Sequence, residues 1–563
     1  MRIASIVVTS LALSVPANAQ VISRISVDGN GNPGNAQSGL GLAFEQRTVA
    51  ISADGNVIAF ASAASNLVAG DGNGTIDIFV VDRVAGTIER VSVDSTGIEA
   101  DADCVAPAIS ADGNVVAFWS RATNLVANDT NGAEDTFLHD RSTGITERAS
   151  VNTAGVEGDL GSYRASLSSD GMLVAFESNA TNLAVVDTNK STDIFLRDRA
   201  AGTTRRVSLT SSGTPPGPGG CFDPSISSDG SRVTFSARAT DLVPGDTNGH
   251  YDVFVRDRVA ATTVRVSVDS SGLQGDSTSW HPTICADGST VAFESYASNL
   301  VPGDVEGQGD VFVHELASGI TERVSVDGSG NGGDGESNDA VLSADGKFVA
   351  FSSLATNLFA NDANGVRDVF LRDRAAGTTA ALSLDVVNFT ADGASGLPAL
   401  SDDATRVAFS SVATNLVGND TNGVCDVFLD DVSAQQPPAS WTNYGAGFPG
   451  TNGIPSLVSS ANPVLGSSIT LAFDDSYGIW TVGIALFGLQ SASIPTTKGG
   501  TLLVQPFLIE LASLPPSGGA ISGTVPRDAT LYGVSLFAQV LELDPGAAYG
   551  MSFTPGLQLT FGR

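Results

Sequence analysis

The sequence predicts an all-β protein: a seven-bladed β-propeller closed by an N-terminal strand, followed by a small antiparallel β-sandwich domain. Three observations carry this prediction. A Ser-x-Asp-Gly-type hairpin recurs at Asp54, Asp112, Asp170, Asp229, Asp287, Asp345 and Asp403, in steps of 58 or 59 residues. Each period holds four short apolar runs, the content of one four-stranded propeller blade. The composition, with 63 Gly, 42% hydrophobic and 16% charged residues, favours strands and turns.

Residues 1–19 read as a signal peptide. Arg2 supplies the charge, residues 3–15 the apolar stretch, and Ala17-Asn18-Ala19 the small-x-small cleavage site before Gln20. About 13 apolar residues fall short of the ~20 that span a bilayer. An exported protein, periplasmic, extracellular or at the cell surface, with no membrane span is therefore expected.

Residues 20–432 form the repeat array. In the second unit, residues 107–110 are the expected first strand, Asp112 and Gly113 a tight turn, and residues 115–120 the second strand. A loop through Asn131 and Gly132 leads to a third strand at 135–139 and a fourth at 147–151. Phe118, Phe137 and their counterparts need cover from neighbouring units. The seventh unit reaches its third strand at 426–429 and then enters a Pro-rich run without a fourth. The missing piece lies at the other end of the chain. Arg24-Ile25-Ser26-Val27 repeats the fourth-strand pattern of Arg90-Val91-Ser92-Val93 and Arg323-Val324-Ser325-Val326. This N-terminal strand should complete the last blade and remove an open sheet edge.

After a linker at 433–440, residues 441–563 change character. Residues 440–563 carry six acidic and three basic side chains, so about -30 of the total -33 belongs to the preceding part. Apolar runs at 468–473, 480–489, 501–511 and 531–543 alternate with Gly and Pro turns, as in an antiparallel sandwich.

The Ser-x-Asp-Gly-x-x-Val-Ala-Phe hairpins, followed by Asp-Val-Phe and a Gly turn, resemble the WD40-like repeats of the TolB-type β-propeller family over roughly residues 21–432. The loop between strands two and three is longer here, which takes the period beyond the usual ~40–45 residues. The resemblance implies the propeller fold, and its members serve in envelope complexes, beside peptidases and in many secreted proteins. Residues 445–455, 525–532 and 557–562 resemble an uncharacterised C-terminal module of planctomycete-type exported proteins.

A net charge of -33 excludes non-specific nucleic-acid binding, which needs a basic surface to release counterions. Most of the acid falls in loops expected on one rim, where it would attract cations and basic partners. The loops between strands two and three read Asp-x-Asn-Gly-x-x-Asp: Asp71, Asn73 and Asp77; Asp129, Asn131 and Asp135; Asp246, Asn248 and Asp252; Asp362, Asn364 and Asp368; Asp420, Asn422 and Asp426. Asp-x-Asn before a Gly turn resembles the start of a calcium loop, and calcium is the one cofactor these residues suggest. The same residues equally suit a plain Asn-Gly turn with an Asx cap. Units three and five depart from the pattern at Lys190 and Glu306.

No nucleophile elbow, zinc-protease helix or phosphate loop is present, so no catalytic residue is assigned. Four scattered cysteines offer no metal spacing, and the four histidines read as surface or turn residues. Trp280 and His281, near the inner strand of the fifth unit, are candidate ligand contacts. The leading expectation is a secreted non-catalytic binding or scaffold protein that engages a protein or envelope ligand through its acidic face. The alternatives are a calcium-dependent hydrolase or lyase and a TolB-like envelope component.

Overall fold

The computed structural model describes residues 22–39, 47–184, 189–304, 307–359, 362, 364–384, 391–418, 420–431, 440–463, 468–498, 500–506, 508–524 and 535–560. The signal peptide, most of the linker, Asp187, Glu306 and residues 525–532 lie outside them. Among the described residues there is no helix, so none is long and apolar enough to cross a membrane. The chain divides into two compact units, residues 22–433 apart from 386–388, and residues 434–563.

Among the described residues, the first unit contains seven four-stranded antiparallel sheets. In the second repeat the strands are Cys104–Ile109, Val115–Ser120, Asp135–Asp140 and Ile145–Arg148. The first begins earlier than its sequence suggests because a β-bulge between Val105 and Ala108 interrupts the run. The fourth ends earlier because residues 150–152 already turn toward the next repeat.

The Asp-Gly hairpin forms for a local reason. Asp54 Oδ1 accepts the Ser52 hydroxyl and the Asn56 backbone N–H, at 2.7 and 2.9 Å. Gly55 then takes a φ of 69°, and a Cβ there would lie 2.5 Å from Arg406 Cδ. Conformation and close approach both select glycine.

Phe60 and Phe79 sit opposite each other on adjacent strands with ring centroids 6.0 Å apart, and the pair recurs through Phe409 and Phe428. Each phenylalanine face packs on the small side chains of the preceding sheet. Phe118 and Phe137, for example, pack with Ala59, Ala61 and Val80. Seven such clusters join successive sheets, and in the last of them Ala408, Val427 and Ile25 meet Phe60 and Phe79 of the first repeat. The hairpin turns are linked as well. Ala53 N–H donates to Ala111 O, and the series passes through Ser169, Ser228, Ala286, Ala344 and Asp402, whose N–H returns to Ala53 O at 2.9 Å.

The N-terminal strand Ile22–Arg24 pairs antiparallel with Asp426–Asp431, placing Arg24 opposite Phe428 just as Arg90 lies opposite Phe79. It fills the fourth-strand position of the last sheet.

In the second unit, Thr481–Gly488 lies in a larger antiparallel sheet, between Leu508–Leu514 and Ser535–Leu543. A three-stranded sheet supplies Leu457, Ile469, Leu471 and Phe473 to a core shared with Ala485, Phe487, Val540, Leu557 and Leu559 of the larger one. The run expected at 501–511 splits into Thr501–Gln505 and the strand beginning at Leu508.

Candidate functional site

The acidic loops are organised around arginine. Asp77, Asp135, Asp252, Asp368 and Asp426, which open the third strands, are fully buried. Each carboxylate accepts a serine hydroxyl from the fourth-strand side, from Ser92, Ser150, Ser267, Ser383 and Ser26 respectively. The loop asparagine donates its side-chain N–H to the other carboxylate oxygen at 2.8–3.1 Å. Its amide oxygen is occupied by a backbone N–H two residues on, which fixes its orientation.

A guanidinium then sits between the two aspartates. Arg90 lies 3.2 Å from Asp71 and 3.3 Å from Asp77, Arg265 3.4 Å from Asp246 and 3.1 Å from Asp252, and Arg24 2.9 Å from Asp420 and 3.5 Å from Asp426. Asp129, Asp135 and Glu157 bring oxygens within 4.8 Å of one another, and Arg148 pairs with all three. Calcium needs six to eight oxygens. Each asparagine oxygen accepts a backbone N–H, and in four of the five loops the cation position holds an arginine, so in those four the donor set does not fit the ion.

The sixth loop differs. Ala381 stands opposite Phe370, where the other repeats have arginine, so neither Asp362 nor Asp368 has that guanidinium. Burial pushes Asp368 up to about 6. A folded-state value above the unfolded ~3.9 means that the charged form opposes folding, so this contribution to stability is lost as pH rises through about 4 to 6. Ala381→Arg is expected to raise the thermal midpoint at pH 8, by roughly 1 kcal/mol of stability. The gain should shrink toward zero near pH 4, and melts at both pH values read it directly.

The rim asparagines and aspartates between repeats have local partners too. Asp94 Oδ1 accepts the N–H groups of Thr96 and Ile98, and Asp101 accepts both the N–H and hydroxyl of Thr123. Much of the acid on this rim therefore caps turns.

A pocket opens on the same rim, where the first strands begin and the second strands end. Trp119, Tyr163, Phe222, Tyr251 and Trp280 enclose about 340 Å³ together with Arg164, Glu177, Asp223, Ser236 and His281. It adjoins a channel of about 320 Å³ that Pro107, Pro224, Pro282 and Pro398 border and that shares Arg164, Asp223 and His281. The first-strand bulges build the wall. They place Ala106, Asp223, His281 and Asp339 at φ of 52°, 56°, 47° and 57°, which turns those residues away from the ladder. Non-glycine residues in this region carry strain that commonly accompanies a functional site.

A hydrogen-bonded network holds the charged members. Glu294 accepts from Trp280 Nε1 and pairs with His281 Nδ1, both at 3.1 Å, and it accepts the Asp339 N–H at 2.6 Å. Asp223 pairs with Arg164, accepts the Ser236 hydroxyl at 3.1 Å, and donates its own N–H to Glu177 at 2.9 Å. Burial, with the Asp223 charge beside it, lifts Glu177 to about 7. At His281 burial disfavours the imidazolium, but the Glu294 hydrogen bond and the Glu294 and Asp223 charges outweigh it and carry the ring up to about 9. The stability that His281 contributes is therefore present below ~6.5 and lost as pH rises through about 9. Glu294→Gln should bring its titration down by more than one pH unit, as followed by NMR of the ring protons.

Trp280 and His281 thus lie in the pocket wall. Most of its other members do not stand out in the sequence, although the internal repeats carry the signal. The position after the recurring phenylalanines reads Ala61, Trp119, Glu177, Ser236, Glu294, Ser352 and Ser410. A repeat that is constant at one residue and diverse at the next keeps its sheet while varying a surface. His139 and His314 are buried rather than superficial, and each is within 2.9 Å of a fourth-strand threonine hydroxyl.

These features define a propeller-type repeat protein with a pocket on one rim. No protein-family model matches the sequence, and no curated protein matches it. Among solved structures, the chain is similar to a putative TolB from Agrobacterium tumefaciens, with 16% identity, 52% of this chain and 83% of that one covered, and a TM-score of 0.32. It is also similar to the periplasmic gluconolactonase PpgL of Pseudomonas aeruginosa, at 14% identity, 78% and 95% coverage and a TM-score of 0.31. The RRP9 WD40 repeats match at 9% identity, 70% and 96% coverage and a TM-score of 0.34. These likenesses concern the fold alone.

Proposed function

We propose that the protein is an exported, closed seven-bladed propeller that binds a ligand without catalysis in the pocket on its acidic rim. Ring closure is supported by the seven-membered series of turn hydrogen bonds and by the cluster joining the last repeat to the first. The observation that carries the binding reading is the divergence of the repeats at the pocket. Identical sheets would suffice for a scaffold, whereas aromatic and charged residues converge on one sector of the rim, across repeats two to five. Small-molecule sites are concave, largely apolar and furnished with a few fixed polar groups, typically within ~300–1,000 Å³. The proposed domain plan keeps residues 1–19 as signal peptide, 20–432 as propeller and 441–563 as an accessory sandwich.

The test is ligand-induced stabilisation, since a ligand at 100 times its Kd adds about 2.7 kcal/mol. Fractions of envelope extract and medium should raise the midpoint of the parent chain but not of Trp280→Ala. A shift that survives Trp280→Ala would remove the pocket from the proposal. A TolB-like envelope role would instead appear as a protein partner whose capture is insensitive to that substitution. A calcium-dependent hydrolase would lose midpoint with chelator, which the arginine-filled loops do not predict.

A further inference from the structure

We propose that the second unit binds a calcium ion between Asp475, in the turn after strand Ser468–Phe473, and Glu542, near the end of strand Ser535–Leu543. The site is separate from the propeller pocket. Buried charge without a counterion is the first argument. Glu542 and Asp544 are 1% and 0% exposed, yet neither forms an ion pair among the described residues. Lys498, the only basic side chain described in this unit, is exposed. Buried charges are ordinarily paired or bound to a metal. The repeat array follows that rule with arginine, as at Asp77 with Arg90 and Asp135 with Arg148. Here neutral donors stand instead: Glu542 accepts the Ser476 N–H and the Ser552 hydroxyl, both at 2.9 Å, and Asp544 accepts the N–H groups of Thr451 and Gly546 at 2.5 and 2.9 Å. They disperse the negative charge without cancelling it.

The second argument is an oxygen with no donor. The Tyr477 N–H donates to Asp475 Oδ1 at 2.7 Å and to Glu542 Oε1 at 3.0 Å, which sets the two carboxylates side by side. Asp475 Oδ1 also takes the Gly478 N–H at 2.9 Å. The other oxygen, Oδ2, is shut off from solvent and accepts no hydrogen bond. Burial, and then the Asp475 carboxyl within hydrogen-bonding reach, hold Glu542 above the ordinary carboxylate range. Two ionised carboxylates only accept, so what joins them must be positive.

The third argument concerns which cation. A Cβ at Gly450 would overlap Ser476 Oγ and Asp544 Oδ2, so the segment that closes over these groups leaves no space for an organic cation. A metal ion is small enough. All the candidate ligand atoms are oxygens, and the four histidines and four cysteines all belong to the first unit, so zinc and softer metals lack their usual ligands. Magnesium demands a near-ideal octahedron, whereas calcium accepts irregular sets of six to eight oxygens. Asp475 and Glu542 supply the carboxylates, and water completes the shell. Asp544 is a positioning residue, because the Ser476 hydroxyl reaches Glu542 at 2.5 Å and Asp544 at 3.3 Å.

Calcium titration of the chelator-treated full chain, read by calorimetry and thermal melting, would test this, with magnesium and sodium chloride matched for ionic strength. The expected result is saturable calcium binding and a raised midpoint, with affinity weakened at least tenfold by Asp475→Asn and by Glu542→Gln. Asp475 is the least buried of the three carboxylates, so its variant should fold. Terbium, a calcium surrogate, gives a local reading, because Tyr477 beside the ligands can excite its luminescence. That signal should fall as calcium is added and be lost in Asp475→Asn. Calcium binding unchanged in Asp475→Asn would overturn the proposal, and so would a midpoint shift that sodium reproduces, which marks screening of the net charge of -33. A parent that binds no calcium but is stabilised by Asp475→Asn would overturn it too, in favour of a proton shared between the carboxyls. None of these outcomes bears on the propeller pocket, which Trp280→Ala tests separately.

Discussion

Deleting residues 22–39 should lower the stability of the repeat array by at least about 5 kcal/mol, the largest effect expected from any change considered. Ile22 and Ile25 are 6% and 4% exposed, and burying such side chains is worth about 1.5–3 kcal/mol each. The deletion also strips Asp426 of Arg24 and Ser26, which leaves a fully buried carboxylate without two of its partners. Breaking a buried charge pair from one side costs about 3–5 kcal/mol. It further exposes the edge of the strand at Asp426–Asp431, a template for pairing with another chain. Thermal melts and light scattering would detect both consequences. A deletion that melts like the parent would show that the repeat array does not depend on its first strand.

Arg148→Ala should come next, at about 3–5 kcal/mol. Arg148 is buried and pairs with Asp129, Asp135 and Glu157, so its loss leaves three carboxylates facing one another. The effect should depend on pH. Burial already pushes Asp135 up to about 6 with the arginine present. Protonation below that value relieves the repulsion, so the deficit should be largest at pH 8 and smallest near pH 4. Arg148→Ala combined with Asp135→Asn should recover part of the loss, since the amide needs no counterion. Equal deficits at both pH values would mean that lost packing, not charge, explains the change.

The contrast between these two sites and the pocket indicates what was legible in the sequence. The hairpin period, the strand content and the displaced first strand depend on backbone pattern, which repetition makes visible. The arginines were legible as part of the closing-strand pattern, yet their partners were not. Arg90 and Asp77 lie on different strands, 13 residues apart, and only the pairing of Phe79 with Arg90 brings them together. Seen after the fact, Ala381 is the informative exception, because the repeat that lacks arginine keeps Ser383 and Asp368. The pocket was least legible. Its residues come from four repeats, most at positions where a bulge reverses the usual inward and outward alternation. Trp280 and His281 stood out by residue type alone, whereas Glu294, the group that holds both, lies among repeats of Ser and Glu that looked like ordinary strand polarity.

The hydrogen bond from Ser26 to Asp426 links residues 400 positions apart. A chain made from its N-terminus first must therefore carry an unpaired apolar strand until the seventh repeat exists. The entropic penalty of so long a loop grows only as the logarithm of its length, so the delay costs little free energy. Its effect is on time. The array can assemble repeat by repeat as it emerges, but the final state arrives in one late event, and any partner that engages residues 22–27 before then would hold the protein open.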